Sequence, residues 1–151
     1  MTTSSFNNSI IYIQQGTYDI NTTTIFNNQL TLTIIGNGTV TIQPRTTFTG
    51  RAYTITNGNI TLDYLTFTDF KNSAIYNHGT LDIRNSDFTG NTATCGGVIY
   101  NTGSLTNLTG NMIKYNTANR TGAAINNYNA ENVTITVMIY ITTKHNTDQY
   151  T

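Results

Sequence analysis

Apolar and polar residues alternate with a period of two along much of the chain. The clearest alternating runs are 30–34, 40–42, 60–62, 81–83 and 133–135. Such alternation predicts short β-strands with one buried face. Between the runs lie breaks rich in Gly and Asn, which tolerate the left-handed backbone conformations of turns. No segment has the 3.6-residue apolar period of an amphipathic helix, so we expect an all-β protein.

The segment that begins at Ala74 is followed by two degenerate copies of itself, which begin at Val98 and Ala124. Equivalent positions lie roughly 24 to 28 residues apart, a spacing typical of stacked repeats. A chain that returns to the same lateral position in each turn stacks equivalent residues in parallel, unlike an antiparallel sandwich. We therefore predict a right-handed parallel β-helix of about five coils over residues 1–136, as a fragment of a longer solenoid.

Alignment of the copies predicts which apolar residues stack on one another. One column contains Ile60, Leu81, Leu105 and Val133; a second contains Leu62, Ile83 and Ile135, with Asn107 as an exception; a third contains Phe67, Phe88 and Ile113.

Two polar or aromatic columns also emerge from the alignment. Stacked Asn side chains can hydrogen-bond along a column, and we predict a structural ladder made of Asn57, Asn77, Asn101 and Asn127. Tyr76 and Tyr100 are equivalent to each other, with Ile55 before them. If exposed, this column could contact a sugar or a protein partner; if inward, it is core. We favour core or turn packing.

Composition and charge narrow the classes of function. Thr and Asn make up more than a third of the chain, charged residues only 9%, and the net charge is zero. This balance argues against a nucleic-acid partner. No stretch approaches the roughly 18 apolar residues that span a bilayer. The two histidines, His78 and His145, make no metal set, and we expect no cofactor.

Two motifs resemble a known family. Phe88-Thr-Gly-Asn91 followed by Gly96-Gly-Val-Ile99 is similar to the F-x-x-N and G-G-A-[ILV] repeats of polymorphic outer-membrane-type β-helix adhesins. With its Asn/Thr bias, the chain most resembles the large adhesin-like surface proteins of methanogenic archaea. The resemblance implies a cell-surface protein with a β-helical stalk or binding face. It implies no catalytic residues, and its partner would be an unknown surface protein or glycan.

The chain departs from that family at its ends. Family members enter the secretory pathway and carry an anchor, whereas we identify neither a signal peptide nor an anchor here. After Thr136 the repeat pattern collapses, and we predict that residues 137–151 are an aberrant tail, translated from a shifted reading frame. A helix cut after Thr136 would expose unpaired backbone groups, which predicts self-association.

Two other interpretations stay open. The β-helix fold also hosts polysaccharide lyases and glycoside hydrolases, which need clustered charged groups on one face. Asp63, Asp82 and Arg84 are the only such candidates, with Asp63 stacked near Arg84 and Asp82 near Thr61. A surface ion pair is the favoured interpretation of this cluster. The third interpretation is a decayed gene fragment without a selected function.

Overall fold

The computed structural model describes residues 8–134 and 137–145, and for residue 131 and residues 137–145 it describes the backbone alone. Every regular element in these ranges is a β-strand, and none is a helix that could cross a membrane. The strands are β1 (Ser9–Ile20), β2 (Thr24–Phe26), β3 (Thr31–Pro44), β4 (Tyr53–Ile55), β5 (Asn59–Asp63), β6 (Thr66–Thr68), β7 (Ile75–Asn77), β8 (Thr80–Arg84), β9 (Asp87–Thr89), β10 (Thr92–Cys95), β11 (Ile99–Asn101), β12 (Ser104–Thr121), β13 (Ile125–Asn127), β14 (Glu131–Val133) and β15 (Val137–His145).

The strands stack in parallel as a β-solenoid of about five turns, which confirms the predicted fold class. One sheet, here called sheet B, contains five three-residue strands in the order β13-β11-β7-β4-β2. The remaining ten strands form sheet A, in which long strands such as β3 and β12 pair along two limbs of each coil. Apolar side chains from both sheets fill the interior.

The predicted apolar columns are largely confirmed. Ile60 pairs with Leu81, Leu81 with Leu105, and Leu105 with Val133. In the aromatic column the rings of Phe67 and Phe88 are stacked, with centroids 5.1 Å apart, and the next residue in that column is Ile113. Except for Val133, the residues of these columns are fully buried. Ile135 lies outside the described residues.

The placement of Asn107 in the second apolar column is wrong. The register shifts by one residue between Leu105 and Asn107, so that Leu108 pairs with Ile83 and is fully buried. Thr106 is the additional residue of this β-bulge and lies at the surface. A one-residue shift exchanges the faces of a strand, and the bulge thereby returns an apolar side chain to the core.

The asparagine ladder forms, but it contains three residues rather than four. Asn77 pairs with Asn101, and Asn101 with Asn127. The position before them in the column belongs to Ile55, not to Asn57. Asn57 is exposed in a turn, where its Oδ1 accepts a hydrogen bond from Gly58 N at 2.8 Å. Asn57 follows Ile55 by two residues, and the register of the next strands, with Asn59 opposite Thr80, places it level with His78 rather than Asn77.

Hydrogen bonds run along the ladder in one direction. Asn77 Nδ2 donates to Asn101 Oδ1 over 2.7 Å, and Asn101 Nδ2 donates to Asn127 Oδ1 over 2.9 Å. Asn77 Oδ1 is buried and has no hydrogen-bond partner within the described part of the chain. The cause is Ile55, because its side chain offers no donor to the next coil.

The structure also explains the Asn of the F-x-x-N motif. Asn91 is fully buried at the end of a coil; its Nδ2 donates to Phe67 O of the preceding coil, and its Oδ1 accepts from Phe70 N. Asn116 repeats the arrangement by donating to Phe88 O. These amides satisfy backbone groups that a tight corner leaves without strand partners.

The tail begins with a paired strand. The backbone of β15 runs parallel to β12, from Thr109 opposite Val137 to Ala118 opposite His145, with three register irregularities. The chain therefore continues to coil beyond Thr136. The proposed frameshift concerns the gene and stays a prediction.

Candidate functional site

Tyr76 and Tyr100 lie on the outer face of sheet B. In β7 and β11 the central tyrosine is only partly buried, whereas the residues on either side of it are fully buried. The interpretation of these tyrosines as core is therefore wrong. Their column also contains Thr54 rather than Ile55, because Thr54 pairs with Tyr76. Period-two alternation decides the orientation, since Ile75 and Asn77 already point inward.

A third tyrosine extends this column into a tyrosine ladder of Tyr76, Tyr100 and Tyr128. The ring centroids of Tyr76 and Tyr100 are 5.9 Å apart with an interplanar angle of 22°, and those of Tyr100 and Tyr128 are 6.5 Å apart with an angle of 23°. Asn126 occupies the strand position opposite Tyr100, so Tyr128 reaches the ladder from the following turn. Sequence alignment missed Tyr128 for that reason. The ring of Tyr100 therefore lies between those of Tyr76 and Tyr128.

Arg51 covers the other end of the ladder. Its guanidinium carbon lies 5.3 Å from the centroid of the Tyr76 ring, within the range of a cation–π contact. Nε donates to Asn72 O over 2.6 Å, and Nη2 donates to Asn72 Oδ1 over 3.2 Å. Burial lowers the pKa of Arg51, while the phenol groups of Tyr76 and Tyr100 act in the opposite direction.

A cavity of about 190 Å³ lies beside Arg51 and is here called the Arg51 pocket. Its lining residues are Arg51, Asn72, Tyr76, Thr94, Cys95 and Tyr100. Sequence analysis did not identify Arg51, although the register contains the signal. The residue two places before the strand is Arg51, Ser73, Gly97 and Ala123 for β4, β7, β11 and β13, respectively. A single arginine among small residues cannot be explained by stacking.

The charge around sheet B has one sign. Residues 46–60, 70–80, 90–104 and 118–130 contain sheet B from β4 onward and its flanking turns, and their sequences include no Asp or Glu. They do include three cations: Arg51 and Lys71, which precede β4 and β7, and Arg120, which lies in β12 of sheet A. The segments around sheet B thus contain no carboxylate, and Asp69 and Glu131 lie one residue outside them.

An open polar groove lies beside the tyrosine ladder, along the turns that lead from sheet B to sheet A. Its volume is about 710 Å³, and amides, hydroxyls and glycines predominate in its lining, which includes Asn57, His78, Thr102 and Ser104. Thr102 joins the two features, since its Oγ1 lies 3.4 Å from the Tyr76 hydroxyl and 3.0 Å from His78 Nδ1.

Asp63, Asp82 and Arg84 lie on neighbouring coils of sheet A, as predicted. Thr61 pairs with Asp82 and Asp63 with Arg84. Arg84 donates to both carboxylate oxygens of Asp82, and the two side chains are 50% and 16% exposed. This ion pair and its hydrogen bonds raise the pKa of Arg84. Asp63 accepts a hydrogen bond from Asn85 Nδ2 over 2.9 Å.

Among the described residues no group of three or more His, Cys, Asp or Glu side chains could hold a metal ion. Comparison with protein-family models, with curated proteins and with solved structures found no match to this chain.

Proposed function

We propose that this chain is a non-catalytic, adhesin-like β-solenoid that acts at a cell surface and binds a glycan through the outer face of sheet B. The observation that carries this proposal is the outward-facing tyrosine ladder, in which Tyr76 and Tyr100 are partly buried and Tyr128 is exposed. Solenoid stacking needs the inward columns, whereas it does not need three aligned aromatic rings on the outer face. The repeat motifs that resemble surface adhesins support the location.

The chemistry of this face favours a glycan over a peptide. The strands β4, β7 and β11 each pair with a neighbour on both sides. A peptide that binds by strand addition needs a free sheet edge, and these strands offer none. Recognition must use side chains, and here the tyrosine hydroxyls, Thr102 and the amide-lined groove can exchange hydrogen bonds with sugar hydroxyl groups.

The geometry also restricts how sugars bind. Both faces of Tyr76 and of Tyr100 are covered by neighbouring groups, so a sugar ring cannot stack on them. Tyr128 is 59% exposed and has one face covered by Tyr100, which leaves its other face for a sugar. The remaining contacts are hydrogen bonds between the sugar and the hydroxyl groups of the tyrosines and Thr102.

The partners of the two acids support binding rather than hydrolysis. A glycosidase needs one carboxylic acid and one carboxylate that both face the scissile bond. Asp82 is held by Arg84, and Asp63 by Asn85. Polysaccharide turnover that is abolished by Asp63→Ala or Asp82→Ala would replace our proposal with an enzymatic function.

A glycan array with the wild type and three variants tests the proposal. Tyr100→Ala should abolish binding, because it removes the central ring of the ladder. Tyr100→Phe keeps the ring and loses only the hydroxyl, so a partial loss is expected. Tyr64→Asn is the matched control, since Tyr64 is an exposed tyrosine of sheet A. Circular dichroism checks that each variant is folded. Equal effects of Tyr100→Ala and Tyr64→Asn would contradict the proposal, and an array without any bound glycan would favour the decayed gene fragment.

A further inference from the structure

We propose that the Arg51 pocket binds the carboxylate of an acidic sugar residue, such as a hexuronic acid. This inference rests on the proposed glycan binding and assigns a ligand class to one part of that surface. The acidic sugar would be one unit of a longer glycan that continues along the tyrosine ladder.

The first observation is a cation without a counterion. Arg51 has no ion pair with a carboxylate among the described residues, although part of its side chain is withdrawn from water. Burial of an unpaired charge is costly, and half-buried arginines therefore usually have an acidic partner. Even Arg84, an exposed arginine of sheet A, has Asp82 as its acidic partner. A ligand carboxylate would supply the partner that Arg51 lacks.

The second observation is that donors remain free. A guanidinium has five N–H donors, and the described hydrogen bonds of Arg51 use Nε and one N–H of Nη2. Both N–H groups of Nη1 and the second N–H of Nη2 remain. Neighbouring N–H groups of this kind can bind the two oxygens of a carboxylate side by side. Asn72 meanwhile fixes the orientation of the guanidinium plane.

The third observation is the size and lining of the pocket. A volume of about 190 Å³ admits a single sugar ring rather than an oligosaccharide. The Thr94 hydroxyl and the Asn72 amide line the cavity together with the rings of Tyr76 and Tyr100. Thr94 and Asn72 provide polar partners for sugar hydroxyl groups, and the two tyrosines supply the apolar part of the lining. Arg51 and Lys71 precede strands of sheet B, and the segments around these strands contain no Asp or Glu, which favours an anionic glycan.

Isothermal titration calorimetry with three probes tests this site: a glucuronic-acid oligosaccharide, its neutral glucose counterpart and a Glu-rich peptide. The wild type should bind the acidic oligosaccharide at least about tenfold more tightly than the neutral one, as expected of a charge-assisted pair. Arg51→Gln should remove that advantage and leave neutral binding unchanged. Arg51→Lys should retain part of it, since lysine keeps the charge without the planar fork. Arg84→Gln changes the net charge equally and should have no effect.

Three results would overturn the inference. These are equal affinity for the acidic and neutral sugars, equal losses in Arg51→Gln and Arg84→Gln, and preferential binding of the peptide. If no sugar binds at all, the proposed glycan function fails too; if the neutral sugar binds as well as the acidic one, only the carboxylate site fails. If Arg51→Gln does not fold, the wild type alone can test the site. The acidic oligosaccharide, but not the neutral one, should then change the chemical shifts of the Arg51 Nε–H and the Tyr76 ring.

Discussion

Asn77 donates a hydrogen bond to Asn101 between two coils, and both side chains are fully buried. Asn101→Ala removes the acceptor of Asn77 and the donor to Asn127 together. We expect the free energy of unfolding to fall by about 2–3 kcal/mol, because buried amide groups lose their partners. Urea denaturation measures the change. Asn127→Ala is the control at the exposed end of the ladder, and it should cost about 1 kcal/mol or less. Equal losses would mean that burial does not govern the strength of the ladder.

Tyr64 has a left-handed backbone conformation with φ of 54°, and the equivalent residues of the next two coils are Asn85 and Gly110. Left-handed φ disfavours a bulky side chain, whereas Asn tolerates it. Tyr64→Asn should therefore raise the free energy of unfolding by about 0.5–1 kcal/mol. Gly110→Ala is the opposite change at the same place in the coil, and its new Cβ would lie 2.7 Å from Asn85 Oδ1. It should be destabilising in the same denaturation experiment. Two changes of the same sign would contradict this explanation.

Burial raises the pKa of Tyr53 from 10.0 to about 12. The folded state thus holds this proton more tightly than the unfolded state does. The stability that results is fully present below pH 10 and is lost as the pH rises towards 12. The loss should reach about 2–3 kcal/mol. Tyr53→Phe keeps the edge-to-face ring contacts with Phe26 and Phe67 and removes the titrating group. The free energy of unfolding, measured by denaturation at several pH values in this range, should fall less steeply with pH for the variant. The same pH dependence in both proteins would show that Tyr53 is not responsible.

The first strand has one free edge and an exposed apolar stretch. Within the described residues β1 pairs only with β3, and Ile10, Ile11 and Tyr12 are 56%, 48% and 61% exposed. Unpaired strand edges of this type associate with one another. We predict that the isolated chain forms oligomers, detected by light scattering over a concentration series. Tyr12→Lys places a charge on the edge strand and should reduce the apparent mass. A monodisperse wild-type monomer at high concentration would contradict this prediction.

The sequence was sufficient for the solenoid and for most of its columns, because stacked repeats align like residues on like residues. The errors arise where a coil changes its length by one residue. Thr106 lengthens one strand and moves Leu108 into the core in place of Asn107. Asn57 lies in a turn that is one residue longer than its counterpart, and the flanking strands place it level with His78 rather than Asn77. One additional residue in the sequence either forms a β-bulge or turns the rest of the strand over, so that its other face points inward. Spacing alone cannot distinguish the two, since both alter the register by one residue.

The candidate site was harder to predict for a different reason. Tyr76 and Tyr100 were correctly aligned with each other. Their orientation depends on whether the tyrosine or its two neighbours in the strand point into the core, and the neighbours do. The contact of Arg51 with Tyr76 joins neighbouring coils through a long side chain. Such contacts depend on side-chain reach rather than on repeat periodicity, so they emerge only from the coordinates.

The unpaired oxygen of Asn77 determines at which coils the solenoid can be lengthened without burying another unpaired amide oxygen. Any coil duplicated between Asn77 and Asn127 would bring its own amide donor and acceptor, and the row of amides would lengthen without a new unsatisfied atom. A duplicate of the Ile55 coil inserted at the same place would break the row and bury a second orphaned carbonyl oxygen. Duplication of coils on the carboxyl side of Ile55 therefore adds no unpaired amide, whereas a duplication that repeats Ile55 together with a following Asn coil adds one buried, unpaired oxygen per copy.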